Sequence, residues 1–185
     1  MYKRQDDNGI EYTSIGANGA KFESYERCNY FYSQLSLYMP DLFIISIGTN
    51  DTSVPVFDAE KYKENYKRMI DNILRINPDC AILLTVPNDS YYKKTVNKFN
   101  KEAESVIHSL ANEYKMAVWD VYDMMGGEKS SYTWYKKGLM VKDKIHFNHK
   151  GYYLKADLLL EALAHSFEEV TGLKEDTFLN QLIHE

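Results

Sequence analysis

The chain has 185 residues, 44% hydrophobic and 14% aromatic, which is enough for one domain with its own core and too apolar for a disordered segment. Its formal charge of −5, with 22 basic residues scattered among 27 acidic ones, leaves no basic face for a phosphate backbone and excludes nucleic acid as an expected partner. No apolar run approaches the ~20 residues needed to span a bilayer, and the first ten residues, MYKRQDDNGI, lack the apolar centre of a signal peptide.

In chain order, IEYTSI (residues 10–15) reads as a short strand and is followed by a helix bearing Cys28, Phe31, Tyr32 and Leu35. DLFIISIG (41–48) is a continuous apolar run ending in a turn residue, the pattern of a buried parallel strand. Tyr62, Tyr66, Met69, Ile70, Ile73 and Leu74 then recur at helical spacing until Asn77-Pro78, where proline disfavours a helical predecessor. CAILLTVP (80–87) repeats the buried-strand pattern and completes a βαβ unit. A second helix carries Val96, Phe99, Ala103, Val106, Leu110 and Tyr114, and MAVWDVY (116–122) supplies the next strand. The Gly-, Ser- and Lys-rich MGGEKSSYTWYKKG (125–138) is the best linker candidate, and Tyr152, Ala156, Leu159, Leu160 and Leu163 stripe a closing helix. Cys28 and Cys80 have no metal-ligand spacing and read as buried free thiols.

Strict alternation of this kind predicts an α/β fold with a doubly wound parallel sheet, whose ligand chemistry collects on loops at the carboxyl ends of the strands. Those loops are GANGAK (16–21), GTNDTS (48–53) and VPNDSYY (86–92). In the second, Gly48 allows a sharp turn and Asn50 can aim an amide at an oxyanion, while Asp51 reads as a brace for the loop. KDKIHFNHKGYY (142–153) adds Asp143 and His146 three positions apart, the acid and base of a hydrolytic triad. His149 would complete an H-x-x-H pair with His146, but zinc wants at least three protein ligands and no third clusters in the sequence, so no metal is expected. Trp134 is a candidate for stacking on a sugar ring, with packing against the domain as its competing role.

Together the three blocks resemble the SGNH (GDSL-type) hydrolases, and NGA, PDLFIISIGTND, WDVYDMMGG and DKIHFNHKGY in this order are similar to the branch containing bacterial cell-wall O-acetylesterases. The resemblance implies a flavodoxin-like three-layer α/β/α sandwich with a parallel sheet. It implies His146 and Asp143 as catalytic base and acid, Asn50 and Gly19 as oxyanion donors with Gly16 as the alternative glycine, and Gly48 as the loop glycine. It further implies serine acylation on an acetylated carbohydrate or other small ester, without metal or organic cofactor.

The superfamily's nucleophile block, Gly-Asp-Ser, occurs nowhere in the chain. Ser90 is the nearest imitation, though its loop follows the wrong strand. In the O-acetylesterase branch an accessory β-sandwich domain is inserted between the nucleophile block and the block containing Gly19. The expectation is therefore the carboxyl-terminal portion, residues 1–185, of a longer esterase domain, with the nucleophile strand upstream. By itself this portion is expected to be inactive or nearly so. The vacancy left by that strand is expected to be closed by direct pairing of its neighbours, by self-association with another chain, or by a rearranged amino terminus. A cell-wall substrate implies a periplasmic or extracellular location. The competing reading is a non-catalytic remnant or carbohydrate-binding pseudoenzyme; a flavodoxin-like cofactor binder is weaker, since no phosphate loop of the required spacing occurs.

Overall fold

The structure, a computed structural model, describes residues 2–5 and 11–172. The chain forms two compact units, one of Gly19–Asn148 and one of the flanking segments Met1–Asn18 and His149–Glu185. In the flanking unit, β1 (Tyr2–Gln5) and β2 (Glu11–Ser14) form an antiparallel ribbon, with Tyr2 opposite Ser14 and Gln5 opposite Glu11. The segment expected as the first parallel strand is thus a strand, but it pairs with the amino terminus; its Ile10 lies outside the described residues. The long helix at the other end of this unit spans His149–Thr171 and is numbered last, as α8.

In the other unit the expected single helix after GANGAK is two: α1 (Phe22–Glu26) and α2 (Phe31–Tyr38). Cys28 falls in the turn between them and is exposed, which corrects the expected burial; Cys80 is buried as expected. Strand β3 (Leu42–Ile45) leads into the short helix α3 (Thr49–Thr52). Helix α4 (Ala59–Ile76) starts where the Asp58 carboxylate accepts from the Lys61 N–H at 3.0 Å. It buries Tyr62, Tyr66, Met69, Ile70 and Ile73 on one face and ends before Pro78, where Asn77 donates its side-chain N–H to the Pro40 carbonyl. That bond ties the end of α4 to the entry of β3.

Strand β4 (Ala81–Val86) follows, then a small hairpin of β5 (Tyr91–Tyr92) and β6 (Thr95–Val96), helix α5 (Asn100–Tyr114) and strand β7 (Ala117–Asp120). Val96 therefore lies in a strand rather than in the helix. Helices α6 (Val121–Met125) and α7 (Ser130–Lys136) occupy the remainder. Val121 and Tyr122, expected in a strand, are helical because the Asp120 carboxylate accepts from the Asp123 N–H at 2.8 Å and starts α6 early. The expected linker instead contains α7, anchored by buried Ser130, Ser131 and Trp134. Among the described residues no helix is long and apolar enough to cross a membrane.

The sheet has the order β3-β4-β7 and is parallel throughout, as the βαβ pattern predicts. Leu42 to Ile45 face Ala81 to Leu84, and Leu83 to Val86 face Ala117 to Asp120, so the strands deliver their following loops to the same edge. Ile45, Ile82, Leu84 and Val86 join the buried faces of α4 and α5 in one continuous core. Each such side chain contributes about 1.5–3 kcal/mol by leaving water.

Gly48 shows how closely the core approaches the edge. It has φ +125°, and a Cβ there would collide with the Tyr62 hydroxyl and lie 2.9 Å from Pro87 Cγ. Both neighbours are held by the core, so the glycine is required twice, for its backbone and for its lack of a side chain. Gly48→Ala is expected to lose about 2–4 kcal/mol of stability in urea unfolding.

Candidate active site

The loop carrying Asp143 and His146 is closed on itself. Met140 and Phe147 pair across it, the Val141 N–H donates to the His146 carbonyl at 3.0 Å, and Lys144 turns the chain with φ +56°. Within that turn Asp143 Oδ1 accepts from the N–H groups of Ile145 (2.8 Å) and His146 (3.1 Å), the short-range pattern that aspartate favours in turns. Its second oxygen, Oδ2, lies 2.8 Å from His146 Nδ1. An ionised carboxylate can only accept, so Nδ1 is the donor, and in the neutral imidazole Nε2 then carries the lone pair. Partial burial pushes the Asp143 carboxyl up, but the bonds from the His146 ring and the two backbone N–H groups outweigh it, and the net value falls below the usual range. The acid stays ionised, and the base is oriented. The His146 side chain is 58% exposed, so it remains open to a reacting group.

Asn50 stands on α3, after the Gly48 turn. Its Nδ2 donates to the Ala20 carbonyl at 3.1 Å, which brings the Gly19 loop and the Asn50 loop together. An amide nitrogen carries two hydrogens, so this bond uses one of the two. Gly19 has φ +74° and open space around its Cα, whereas Gly16 belongs to the flanking unit. Of the two glycines, Gly19 is the one adjoining the Asn50 contact. Asp51 braces the same loop: its Oδ1 accepts from the Phe22 N–H at 3.4 Å, while Oδ2 is buried without a hydrogen-bond partner.

Beneath both loops runs a buried polar web that was not legible in the sequence. Asn97 Nδ2 donates to Thr52 Oγ1 (3.1 Å), the Thr52 hydroxyl donates to Asn100 Oδ1 (3.3 Å), and Asn100 Nδ2 donates to Ser90 Oγ (3.3 Å). Next along the chain, Asp89 Oδ2 accepts from both the backbone N–H and the hydroxyl of Ser131, at 3.0 and 2.6 Å. Burial still lifts the Asp89 carboxyl above its ordinary value. Asn88 Nδ2 donates to the carbonyl of Ile145, the residue before the base, at 3.2 Å. An unbroken run of residues and hydrogen bonds thus links the Asn50 helix to the His146 loop. The only hint in the sequence was Asn-Asp-Ser directly after a buried strand.

Two candidates are corrected by burial. Ser90 is fully enclosed with its hydroxyl engaged by Asn100, so it cannot attack an ester as the fold stands. Trp134 is buried, donates its indole N–H to the Met125 carbonyl at 3.1 Å and packs edge-on against Phe147, so it supports the His146 loop from inside and offers no face to a sugar. His149 is the first residue of α8 and joins no metal-binding group among the described residues.

The sequence profile of the GDSL-like lipase/acylhydrolase family matches residues 3–154, and the chain belongs to that family. A peptidoglycan O-acetylesterase superposes with a TM-score of 0.77 at 23% identity, over 82% of this chain and 45% of its own. The lipase/acylhydrolase of Enterococcus faecalis gives 0.61 at 21% identity over 78% and 71%, and an acetyl xylan esterase gives 0.62 at 18% over 80% and 78%. The chain therefore spans less than half the length of the first of these. At such identities the likeness establishes the fold alone, α/β with a parallel sheet. No curated protein matches the chain.

Asp51 yields a test of the electrostatics. Burial raises its carboxyl from 3.8 to about 6, against the smaller pull of the Phe22 N–H. A raised folded-state value means that the neutral acid is the favoured form: its stabilising contribution is complete below about pH 3.8 and is lost as pH rises through about 6. Asp51→Asn keeps an oxygen for Phe22 and removes the charge. It should be more stable than the wild type at pH 8 by about 1 kcal/mol, a figure discounted for partial exposure, with the gain vanishing near pH 4 in paired urea titrations.

Proposed function

We propose that this chain is the base- and oxyanion-bearing portion of a serine ester hydrolase that removes acetyl groups from a cell-wall or other polysaccharide, acting with a nucleophile outside it. The observation that carries the reading is the Asp143–His146 pair, in which one carboxylate oxygen is held by two backbone N–H groups and the other orients Nδ1 at 2.8 Å. In this reading Nε2 takes the proton of a serine hydroxyl as its oxygen attacks the acetyl carbonyl. The second N–H of Asn50 and the backbone N–H of Gly19 receive the developing oxyanion. The imidazolium then returns the proton to the departing sugar oxygen; in the second half a water, deprotonated by the same Nε2, attacks the acyl-serine carbonyl, and that proton passes to the departing serine oxygen as acetate is released. No step calls for a metal or organic cofactor.

The proposed place for the nucleophile strand is beside β3. Among the described residues β3 pairs only with β4, and Leu42 is 47% exposed on it. An upstream strand or a second copy of the chain would cover this edge, and export to the cell surface would follow from the proposed substrate.

The test is acetate release from an activated acetyl ester by this chain, by a longer protein that carries an upstream Gly-Asp-Ser, and by the His146→Ala variant of the longer protein. The short chain should act barely above background. The longer protein should gain orders of magnitude, and His146→Ala should abolish the gain. Strong His146-dependent turnover by the short chain would contradict the proposal.

A further inference from the structure

A second group of chemically competent side chains lies away from the Asp143–His146 pair. Glu104 and His108 are four residues apart on α5 and therefore share a face one turn apart, and Asp120 closes β7, the strand that packs on α5. One ligand atom from each lies within 4.8 Å of the others. His108 Nε2 and Asp120 Oδ2 are already 2.8 Å apart. In a tetrahedral zinc complex, with bonds of about 2.0–2.2 Å, ligand atoms stand roughly 3.3 Å from one another, so rotamer adjustments suffice to close the set.

The surroundings orient both carboxylates. Asp120 Oδ1 accepts from the Asp123 N–H at 2.8 Å, and Glu104 Oε1 is paired with Lys101 Nζ at 2.7 Å. Glu104 thus spends one oxygen on the protein and keeps one, while Asp120 Oδ2 would exchange its contact with His108 Nε2 for a shared ion, with Oδ1 held by the Asp123 N–H as outer partners hold metal-binding carboxylates. The remaining oxygen of Glu104 is the telling one. Glu104 is only 8% exposed, and its Oε2 is buried with no hydrogen-bond partner. A buried carboxylate oxygen without a donor is costly unless something positive reaches it, and Lys101 already serves the other oxygen.

We propose that Glu104, His108 and Asp120 form a binding site for a divalent cation of the zinc class, which pins α5 to the junction of β7 and α6. One imidazole and two carboxylates suit zinc or cobalt(II) better than calcium or magnesium, which prefer oxygen alone. The half-exposed ring of His108 leaves the outer side of the site for water. The site shares no residue with the proposed catalytic set and stands whether or not the esterase reading does.

The experiment uses the tag-free chain, stripped with chelator, titrated with Zn²⁺ by calorimetry and with Co²⁺ by visible absorption. One saturable equivalent is expected, with a rise in melting temperature. His108→Ala, at an exposed position, and the near-isosteric Glu104→Gln should each weaken binding by roughly tenfold or more and cancel the thermal shift, with folding checked by circular dichroism. His146→Ala should bind as the wild type does. Absence of saturable binding, binding that survives His108→Ala, or binding lost in His146→Ala would overturn the site.

Discussion

The fold depends on one strand. β4 is hydrogen-bonded on both sides, to β3 and to β7, and it is buried from Ile82 to Val86. Where it ends, the chain does not escape to solvent: Asn88, Asp89 and Ser90 continue inward as buried polar residues. Buried polar groups are costly unless hydrogen-bonded, and each of these residues reaches a different neighbour, Ile145, Ser131 and Asn100 respectively, while Asp89 Oδ1 has no hydrogen-bond partner. The exit of β4 therefore fixes, at one stroke, the loop that holds His146, the first turn of α7 and the start of α5. Through Asn100 it also reaches Thr52, two residues from Asn50.

That arrangement reconciles two demands on the proposed hydrolytic site. A base must be open to its substrate, and it must also be held in one orientation. His146 is exposed, but the backbone beneath it is tied by its pairing with Val141, by the Asn88 amide on Ile145, and by Trp134 packed under Phe147. The order comes from buried bonds below, so the ring itself can face solvent. The Gly48 turn works in the same way, since Tyr62 and Pro87 press on the only residue type that fits there.

Much of this was legible from the residues. The βαβ units announced themselves because a strand buried on both faces and a helix buried on one have different periods, and the Asp143–His146 spacing places an acid within reach of a base in a tight turn. The places where structure departs from sequence pattern share a cause. Ser130, Ser131 and Trp134 sit in a stretch whose composition resembles a linker, yet tertiary bonds to Asp89 and Met125 make it a packed helix. Ser90 is the nearest imitation of a nucleophile in the sequence, yet its hydroxyl lies in the interior, where the Asn100 amide contributed by α5 engages it. Cys28 is exposed because a turn divides two helices where the apolar pattern predicts one. The Glu104–His108 spacing was visible, but Asp120 comes from another element and only the packing of β7 on α5 brings it near.

The orientation of the His146 ring is the most direct test of the chemical reading, because the base can serve only if Asp143 holds the proton on Nδ1. Nitrogen-15 spectra of histidine-labelled protein at neutral pH report which ring nitrogen is protonated. The expected result is His146 in the Nδ1–H tautomer, with that preference lost in Asp143→Asn. A predominant Nε2–H tautomer in the wild type, or a preference unchanged by Asp143→Asn, would contradict it.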